Sequence, residues 1–183
     1  MIILLGKTAS GKDTVLNRLV KEHGYKKIVT YTTRPKRERE IQDVTYHFIG
    51  EDEFKEKIES GFFLEYKEYR SAHGTWYYGS AKEDYEKSDE KTVIILTPDG
   101  YRDFLREYPN MDHTSIYLYS NNKTLENRLI KRGDDPKEAK RRLDSDNKDF
   151  KCAQDWADKI VYNNENNSVD DVVNKILEYV NAR

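Results

Sequence analysis

A stretch near the start of the chain, Gly6-Lys7-Thr8-Ala9-Ser10-Gly11-Lys12-Asp13-Thr14, has the residue types and spacing of a loop that holds phosphate. Gly6 and Gly11 carry no Cβ, so the backbone between them can curl and turn successive N–H groups toward one anion. The apolar run Ile2–Leu5 before the loop reads as a buried strand. Behind it, Val15, Leu16, Leu19 and Val20 line one face of a helix that Gly24 ends. In this strand–loop–helix setting the positive end of the helix macrodipole adds to the field of the loop amides. Gly6, Thr8, Ala9, Ser10, Gly11, Lys12, Asp13 and Thr14 are therefore the candidate cradle for the phosphates of ATP, with Lys12 reaching the β- and γ-phosphates. The strict pattern requires Ser or Thr directly after the lysine, and here that residue is Asp13. Thr14, one place later, is the candidate hydroxyl on the Mg²⁺ side. Asp13 reads either as a group behind the metal's own ligands or as an acid suited to a first helical turn.

A second set of motifs follows in order: Thr30-Tyr31-Thr32-Thr33-Arg34-Pro35-Lys36-Arg37, Tyr46-His47-Phe48, Phe62-Phe63-Leu64-Glu65 and Tyr77-Tyr78-Gly79-Ser80. Their order and spacing closely resemble guanylate kinase, and the likeness runs from the loop at Gly6 to Asn163 and beyond. The resemblance implies ATP and GMP as partners. It places Arg34, Arg37, Tyr46 and Tyr78 on the GMP phosphate, Glu65 on the guanine edge, and Thr30 and Ser80 near the base's O6. The chemistry agrees. An arginine fork donates two parallel hydrogen bonds to a phosphate. A carboxylate accepts from guanine N1–H and N2 together, whereas adenine has an acceptor at N1 and nothing at C2. Such a site rejects the wrong base by roughly 10⁴-fold or more. Tyr77 reads as a packing residue, and the basic run Arg34–Arg39 also reads as a solvated loop.

The same resemblance makes Arg128-Leu129-Ile130-Lys131-Arg132-Gly133 and Arg142 a lid over the transferring phosphoryl group, with Asn163 beside adenine. Lys12, Arg34, Arg132 and Arg142 are the candidate catalytic residues, and Arg128 is next. Phosphoryl transfer leaves little covalent work for a protein, so positioning and neutralisation must supply most of the rate. Lys131, Lys140 and Arg141 read as ordinary exposed charges.

Two places depart from the family pattern. Ala9 stands where glycine is usual. Thr97-Pro98-Asp99-Gly100 replaces an Asp-x-Gln-Gly setting, so Thr97 takes the acid's place and Asp99 that of Gln. Two other functions stay open at this point. One is a related kinase with another acceptor, such as ribose bisphosphate, whose loop can also carry Gly-Lys-Asp. The other is a non-catalytic guanylate-kinase-like binding module. Such modules lose the phosphate loop, whereas Lys12, Arg34, Arg37 and Arg142 are all present here.

These side chains need a scaffold. The chain has 183 residues and a formal net charge of -2, which suits one domain and gives no global signal for nucleic acid or membrane. Its one cysteine, Cys152, allows no internal disulfide and points to a reducing, cytoplasmic setting. His23, His47, His73 and His113 lie apart without metal-ligand spacing. Strand candidates are Ile2–Leu5, Lys27–Tyr31, Phe62–Tyr69, Thr75–Tyr78, Thr92–Leu96, Ser115–Tyr119 and Lys159–Tyr162. Helix candidates are Glu51–Ser60, Gly100–Tyr108, Asn121–Lys131, Lys137–Phe150 and a last helix capped by Ser168, with Asp171 three positions on. This alternation predicts an α/β fold, a parallel sheet flanked by helices with a mixed-β nucleotide-binding insertion and a helical lid. The expected divisions are a core of 1–29, 91–120 and 157–183, an insertion of 30–90 and a lid of about 121–156, all within a single domain of 1–183. No feature of the sequence bears on the oligomeric state.

Overall fold

The computed structural model describes residues 1–38, 40–71 and 74–182, so Arg39 and His73 lie outside the described residues. The chain divides into two compact units. The first comprises Met1–Lys27, Glu90–Pro98 and Asp112–Arg183. Its sheet holds β1 (Ile2–Leu5), β2 (Lys26–Lys27), β7 (Thr92–Ile95), β8 (Thr114–Tyr119) and β9 (Lys159–Tyr162) in the order β2-β7-β1-β8-β9, with every pairing parallel. Ile2, Ile3, Leu4 and Leu5 are all 0% exposed. A central parallel strand is covered on both faces, which is why this one is apolar without alternation. Helices α1 (Lys12–His23) and α8 (Val169–Asn181) bury Val15, Leu16, Leu19, Val172, Val173 and Ile176 against Ile2, Leu4, Ile116 and Leu118. The start of α8 is a capping box in which Ser168 and Asp171 satisfy each other's backbone N–H groups.

Helices α5 (Asn122–Arg132) and α6 (Pro136–Asp149) also belong to this unit. They are polar over most of their surface, yet Leu125, Leu129 and Leu143 form a small core of their own, with Ala9 of the phosphate loop packed on it. Asn121 and Asp135 cap these two helices through their side-chain oxygens, and Gly133 ends α5 in the left-handed conformation.

The second unit comprises Ile28–Asp89 and Asp99–Met111. Its mixed sheet holds β3 (Tyr31–Thr32), β4 (His47–Phe48), β5 (Phe63–Ser71) and β6 (Gly74–Ala81) in the order β4-β3-β6-β5. The pair β5–β6 is antiparallel, and its register shifts between Phe63 and Glu65. Such a bulge re-aims the side chains beyond it, and here it sets Glu65 opposite Ser80. The core of this unit is aromatic. Phe54 of α2 (Glu51–Glu59) stacks on Phe63 at 4.4 Å, and Tyr85 of α3 (Lys82–Glu86) lies 5.7 Å from Phe104 of α4 (Pro98–Glu107).

The span expected as one strand, Lys27–Tyr31, is divided between the sheets, with Lys26–Lys27 in the first and Tyr31–Thr32 in the second. Ile28, which follows β2 in the chain, is itself buried, so the apolar run is continuous although the strand is not. The short elements β4, α3 and α7 (Ala153–Trp156) lack the length for a readable period. No helix among the described residues is long and apolar enough to cross a membrane.

Candidate active site

The phosphate loop is held in a conformation that its small residues permit. Gly11 sits at φ 95° and ends the loop at the N-cap of α1. A Cβ there would come within 2.5 Å of Asn163 Nδ2, and one on Gly6 within 2.6 Å of Ser10 Oγ. Ala9 adopts φ 57°, the left-handed region, which costs a non-glycine residue about 1–2 kcal/mol. The backbone therefore explains why glycine would suit this position.

Contacts from the end of β9 and from α5 brace the loop. Asn163 Nδ2 donates to Ser10 O at 2.8 Å, and Arg128 donates to Ala9 O at 3.2 Å and to Asn163 Oδ1 at 3.3 Å. The buried Asn163 side chain is thus engaged at both ends. Helix α6 grips the loop from another side: Thr8 N–H donates to Asp146, and Lys7 Nζ donates to Asn147 Oδ1 at 2.6 Å. Among the described residues Ser10 Oγ is a buried polar atom without a hydrogen-bond partner, as fits a loop built around a polar guest.

Lys12 Nζ lies over the same loop, donating to Gly6 O at 2.7 Å and Lys7 O at 2.8 Å. Burial pulls its pKa down, and Asp13 and Asp146 partly oppose that. Asp13 and Thr14 are both exposed on the first turn of α1. The Asp13 charge also acts on Lys27 and Arg132.

In the second unit Arg34 is only 6% exposed. Its Nε donates to Tyr78 OH at 3.1 Å, and one terminal nitrogen donates to Glu40 Oε1 at 2.7 Å. The other Glu40 oxygen accepts from Arg37 N–H at 2.8 Å, so one carboxylate joins the two arginines through a side chain and a backbone. Burial works against the Glu40 charge, but these two hydrogen bonds hold its carboxyl below the ordinary range. Tyr46 lies edge-on to Tyr78 with ring centres 6.0 Å apart, and the Arg34 guanidinium lies 5.7 Å from the Tyr46 ring centre. The structure therefore gathers Arg34, Tyr46 and Tyr78, with the exposed Arg37 tied in by Glu40. Thr30 O accepts from His47 N–H, which places Thr30 at the edge of β3. Tyr77 packs against Phe54 at 5.5 Å.

Glu65 accepts from Ser80 Oγ at 2.7 Å, and Ser80 Oγ also lies 2.8 Å from Tyr85 OH. Burial pushes the Glu65 carboxyl up, and Ser80 moderates this. Gly100 lies against that carboxylate, since a Cβ on it would sit 3.2 Å from Glu65 Oε2. Asp99 pairs with Lys67 at 3.3 Å and with Arg102.

The arginines of α5 and α6 carry carboxylate partners. Arg132 binds Asp134 through two nitrogens, each at 2.6 Å. Arg142 Nε donates to Glu138 at 2.9 Å, and another of its nitrogens lies 3.6 Å from Asp134. Hydrogen bonds from Arg141, and then from Arg142, pull Glu138 down to about 2 against some desolvation. Glu40, Asp134, Glu138 and Asp146 were not expected from the sequence. They are the acids that hold the expected cations and the loop.

Comparison with known proteins gives one consistent result. The family model described as guanylate kinase matches residues 1–183. A guanylate kinase of Wolinella succinogenes is 36% identical over 75% of this chain, and the match spans 64% of that protein's length. One from Helicobacter pylori is 32% identical over 85% of the chain and 76% of its own, and one from Clostridium tetani is 32% identical over 100% and 85%. Among solved structures, a guanylate kinase from Anaplasma phagocytophilum superposes with a TM-score of 0.67 at 19% identity, covering 100% of this chain and 84% of that one. A gluconokinase from Sinorhizobium meliloti gives 0.57 at 16% identity, covering 99% and 91%. At these identities the two structures speak to the fold.

Proposed function

The chain belongs to the guanylate kinase family, and on that premise we propose that it transfers the γ-phosphoryl group of ATP to GMP, and to dGMP, giving ADP and the diphosphate. The observation that carries the reading is the Glu65 carboxylate, half-buried behind the bulge of β5 and anchored by Ser80 at 2.7 Å. An ionised carboxylate there accepts from N1–H and N2 of guanine, and its desolvated setting makes a missing donor costly.

In this reading the N–H groups of the Gly6–Thr14 loop and Lys12 hold the β- and γ-phosphates. Arg34, Arg37, Tyr46 and Tyr78 hold the phosphate of GMP, and Thr30 and Ser80 lie near O6 of the base. An oxygen of that phosphate attacks Pγ, the bond from Pγ to the β–γ bridging oxygen breaks, and ADP leaves. Arg132 and Arg142 exchange their carboxylate partners for the charge that develops on the moving group. Asn163 stays on the adenine side, acting through the loop that it braces. Mg²⁺ fits the Thr14 hydroxyl, a hard oxygen donor on an exposed helical turn, with the Asp13 carboxylate beside it as a group behind the metal's own ligands. When bound, the ion neutralises charge between the β- and γ-phosphates. The reaction places the chain in purine nucleotide metabolism, as a soluble cytoplasmic enzyme.

A coupled ADP-release assay with GMP, dGMP, AMP, UMP and ribose bisphosphate tests the proposal. GMP and dGMP are the expected acceptors. Turnover of the sugar phosphate without turnover of GMP would reject the reading. Failure to bind ATP, measured against Lys12→Ala, would leave only a binding module.

A further inference from the structure

Tyr85 is 0% exposed, sits on a single turn of helix, and carries a hydroxyl into a core otherwise filled by rings. A phenol in such a place requires a partner, and it has one in Ser80 Oγ at 2.8 Å. The direction of that hydrogen bond follows from proton counting. A serine hydroxyl has one proton, and an ionised carboxylate can only accept. Ser80 donates its proton to Glu65 Oε1 at 2.7 Å. Ser80 must then accept from Tyr85, which gives a one-way chain from Tyr85 O–H to Ser80 O–H to Glu65.

We propose that Tyr85 is a positioning residue for base selection: through Ser80 it fixes the orientation in which the Glu65 carboxylate meets the Watson–Crick edge of a 2-amino-6-oxopurine monophosphate. The proposal rests on the reading of Glu65 given above. Tyr85 locks the Ser80 proton onto one Glu65 oxygen. Gly100 lets the other oxygen lie where a Cβ would stand 3.2 Å away. Both Ser80 and Tyr85 are 0% exposed, so no water competes for either hydrogen bond. Without the phenol proton, Ser80 Oγ loses its donor and gains freedom to rotate away from Glu65. The other charged groups acting on Glu65 are Asp103 of α4 and Lys67 of β5. Neither supplies a hydrogen bond of fixed direction.

The test is the ratio of affinities for GMP and IMP, measured by calorimetry on the full chain. IMP lacks only the 2-amino group, so the ratio reads the contact between Glu65 and that group and ignores phosphate and ribose. Tyr85→Phe removes one hydroxyl and keeps the ring packing. It is expected to lower the ratio about tenfold, the equivalent of roughly 1.4 kcal/mol, while ATP affinity stays as in the unaltered chain. Adding Tyr85→Phe to Ser80→Ala is expected to change the ratio no further, since the chain is already cut at Ser80. A purely structural tyrosine would lower the melting temperature and leave the ratio alone.

Glu65→Gln separates the two ideas. If that variant loses discrimination while Tyr85→Phe keeps it, Tyr85 has no such role and the reading of Glu65 stands. If Glu65→Gln also keeps it, or the unaltered chain does not distinguish GMP from IMP, both fail.

Discussion

The main-chain N–H of Thr8 donates a hydrogen bond to the carboxylate of Asp146, so an acid on α6 closes against the loop assigned to the ATP phosphates. Burial raises the Asp146 pKa above its ordinary 3.8, although Thr8 N–H, Lys12 and Lys7 pull the other way. A carboxyl whose folded pKa is raised costs stability at neutral pH. That cost is relieved as pH falls through the folded value. Asp146→Asn keeps an acceptor for Thr8 N–H and removes the charge. The variant is expected to melt higher than the unaltered chain at pH 7, with the difference shrinking as pH falls through the raised folded value and gone below the ordinary 3.8. It should also bind ATP more tightly, on the order of fivefold, because a like charge leaves the phosphate site. Calorimetric titration with ATP measures this. Weaker binding would mean that the carboxylate contributes to holding the metal.

Gly11 and Asn163 make a second coupled pair. Gly11→Ala meets a backbone cost at φ 95° and a contact of 2.5 Å with Asn163 Nδ2. The loss is expected to be about 2–4 kcal/mol, from the left-handed backbone and the displaced hydrogen bond to Ser10 O. Asn163→Ala alone should cost about 1–2 kcal/mol. In the double variant the clash is gone, and the backbone cost and the loss of the Asn163 hydrogen bonds remain, so the combined loss should fall short of the sum of the two single losses. Urea unfolding of the four proteins gives the cycle. Strict additivity would detach the glycine from the asparagine.

Much of this was legible in the sequence because it rests on local rules. The loop lies between an unbroken apolar strand and a helix with a clear stripe, and the last helix announces its start through Ser168 and Asp171. What escaped reading depends on tertiary contacts. Glu40 lies in a run of charges where any acid looks solvated, and only the fold shows it joining Arg34 to Arg37. Asp146 sits on a strongly charged helix, and no periodicity marks it as the residue that turns toward Thr8. The bulge before Glu65 is likewise invisible in a run of alternating residues. The strand expected over Lys27–Tyr31 was misread because a buried connection keeps the apolar character of a strand.

The contacts of Glu138 give a pH test of the helical region. Hydrogen bonds from Arg141 and Arg142 hold its carboxyl at about 2, well below the ordinary 4.5. A depressed carboxyl contributes stability that is complete above the ordinary value and is lost as pH falls toward the folded one. The group is partly exposed, so solvent screens the benefit to a small one. A titration of the Glu138 carboxyl carbon by NMR should show a midpoint near 2 that returns toward 4.5 in an Arg141→Ala/Arg142→Ala variant. An ordinary midpoint in the unaltered chain would show that these ion pairs do not persist in solution.

Arg142 is proposed to leave Glu138 and neutralise the transferring phosphoryl group. Arg142→Ala is then expected to reduce kcat on the order of 10³-fold, as for arginines that act on the transition state, with smaller changes in KM for ATP and GMP. Steady-state kinetics with both substrates varied distinguishes the cases. A loss confined to KM would assign Arg142 to ground-state binding.

In the proposed role Glu65 is ionised when it accepts from guanine, and burial raises its carboxyl pKa above the ordinary 4.5. The consequence is an acid limb in kcat/KM for GMP. Activity should be lost as pH falls through the folded value, because the protonated carboxyl presents a donor to N1–H. The limb belongs to the free enzyme, so it appears in kcat/KM for GMP and not in ATP binding. Glu65→Gln removes the titration and leaves an amide with one acceptor and one clashing donor. It should depress kcat/KM for GMP by about two orders of magnitude or more, through the unpaired polar groups at the base edge, and abolish the limb. Its affinity for ATP should stay near that of the unaltered chain. Equal losses on both substrates, or an acid limb that survives in the glutamine variant, would make Glu65 a structural residue of β5.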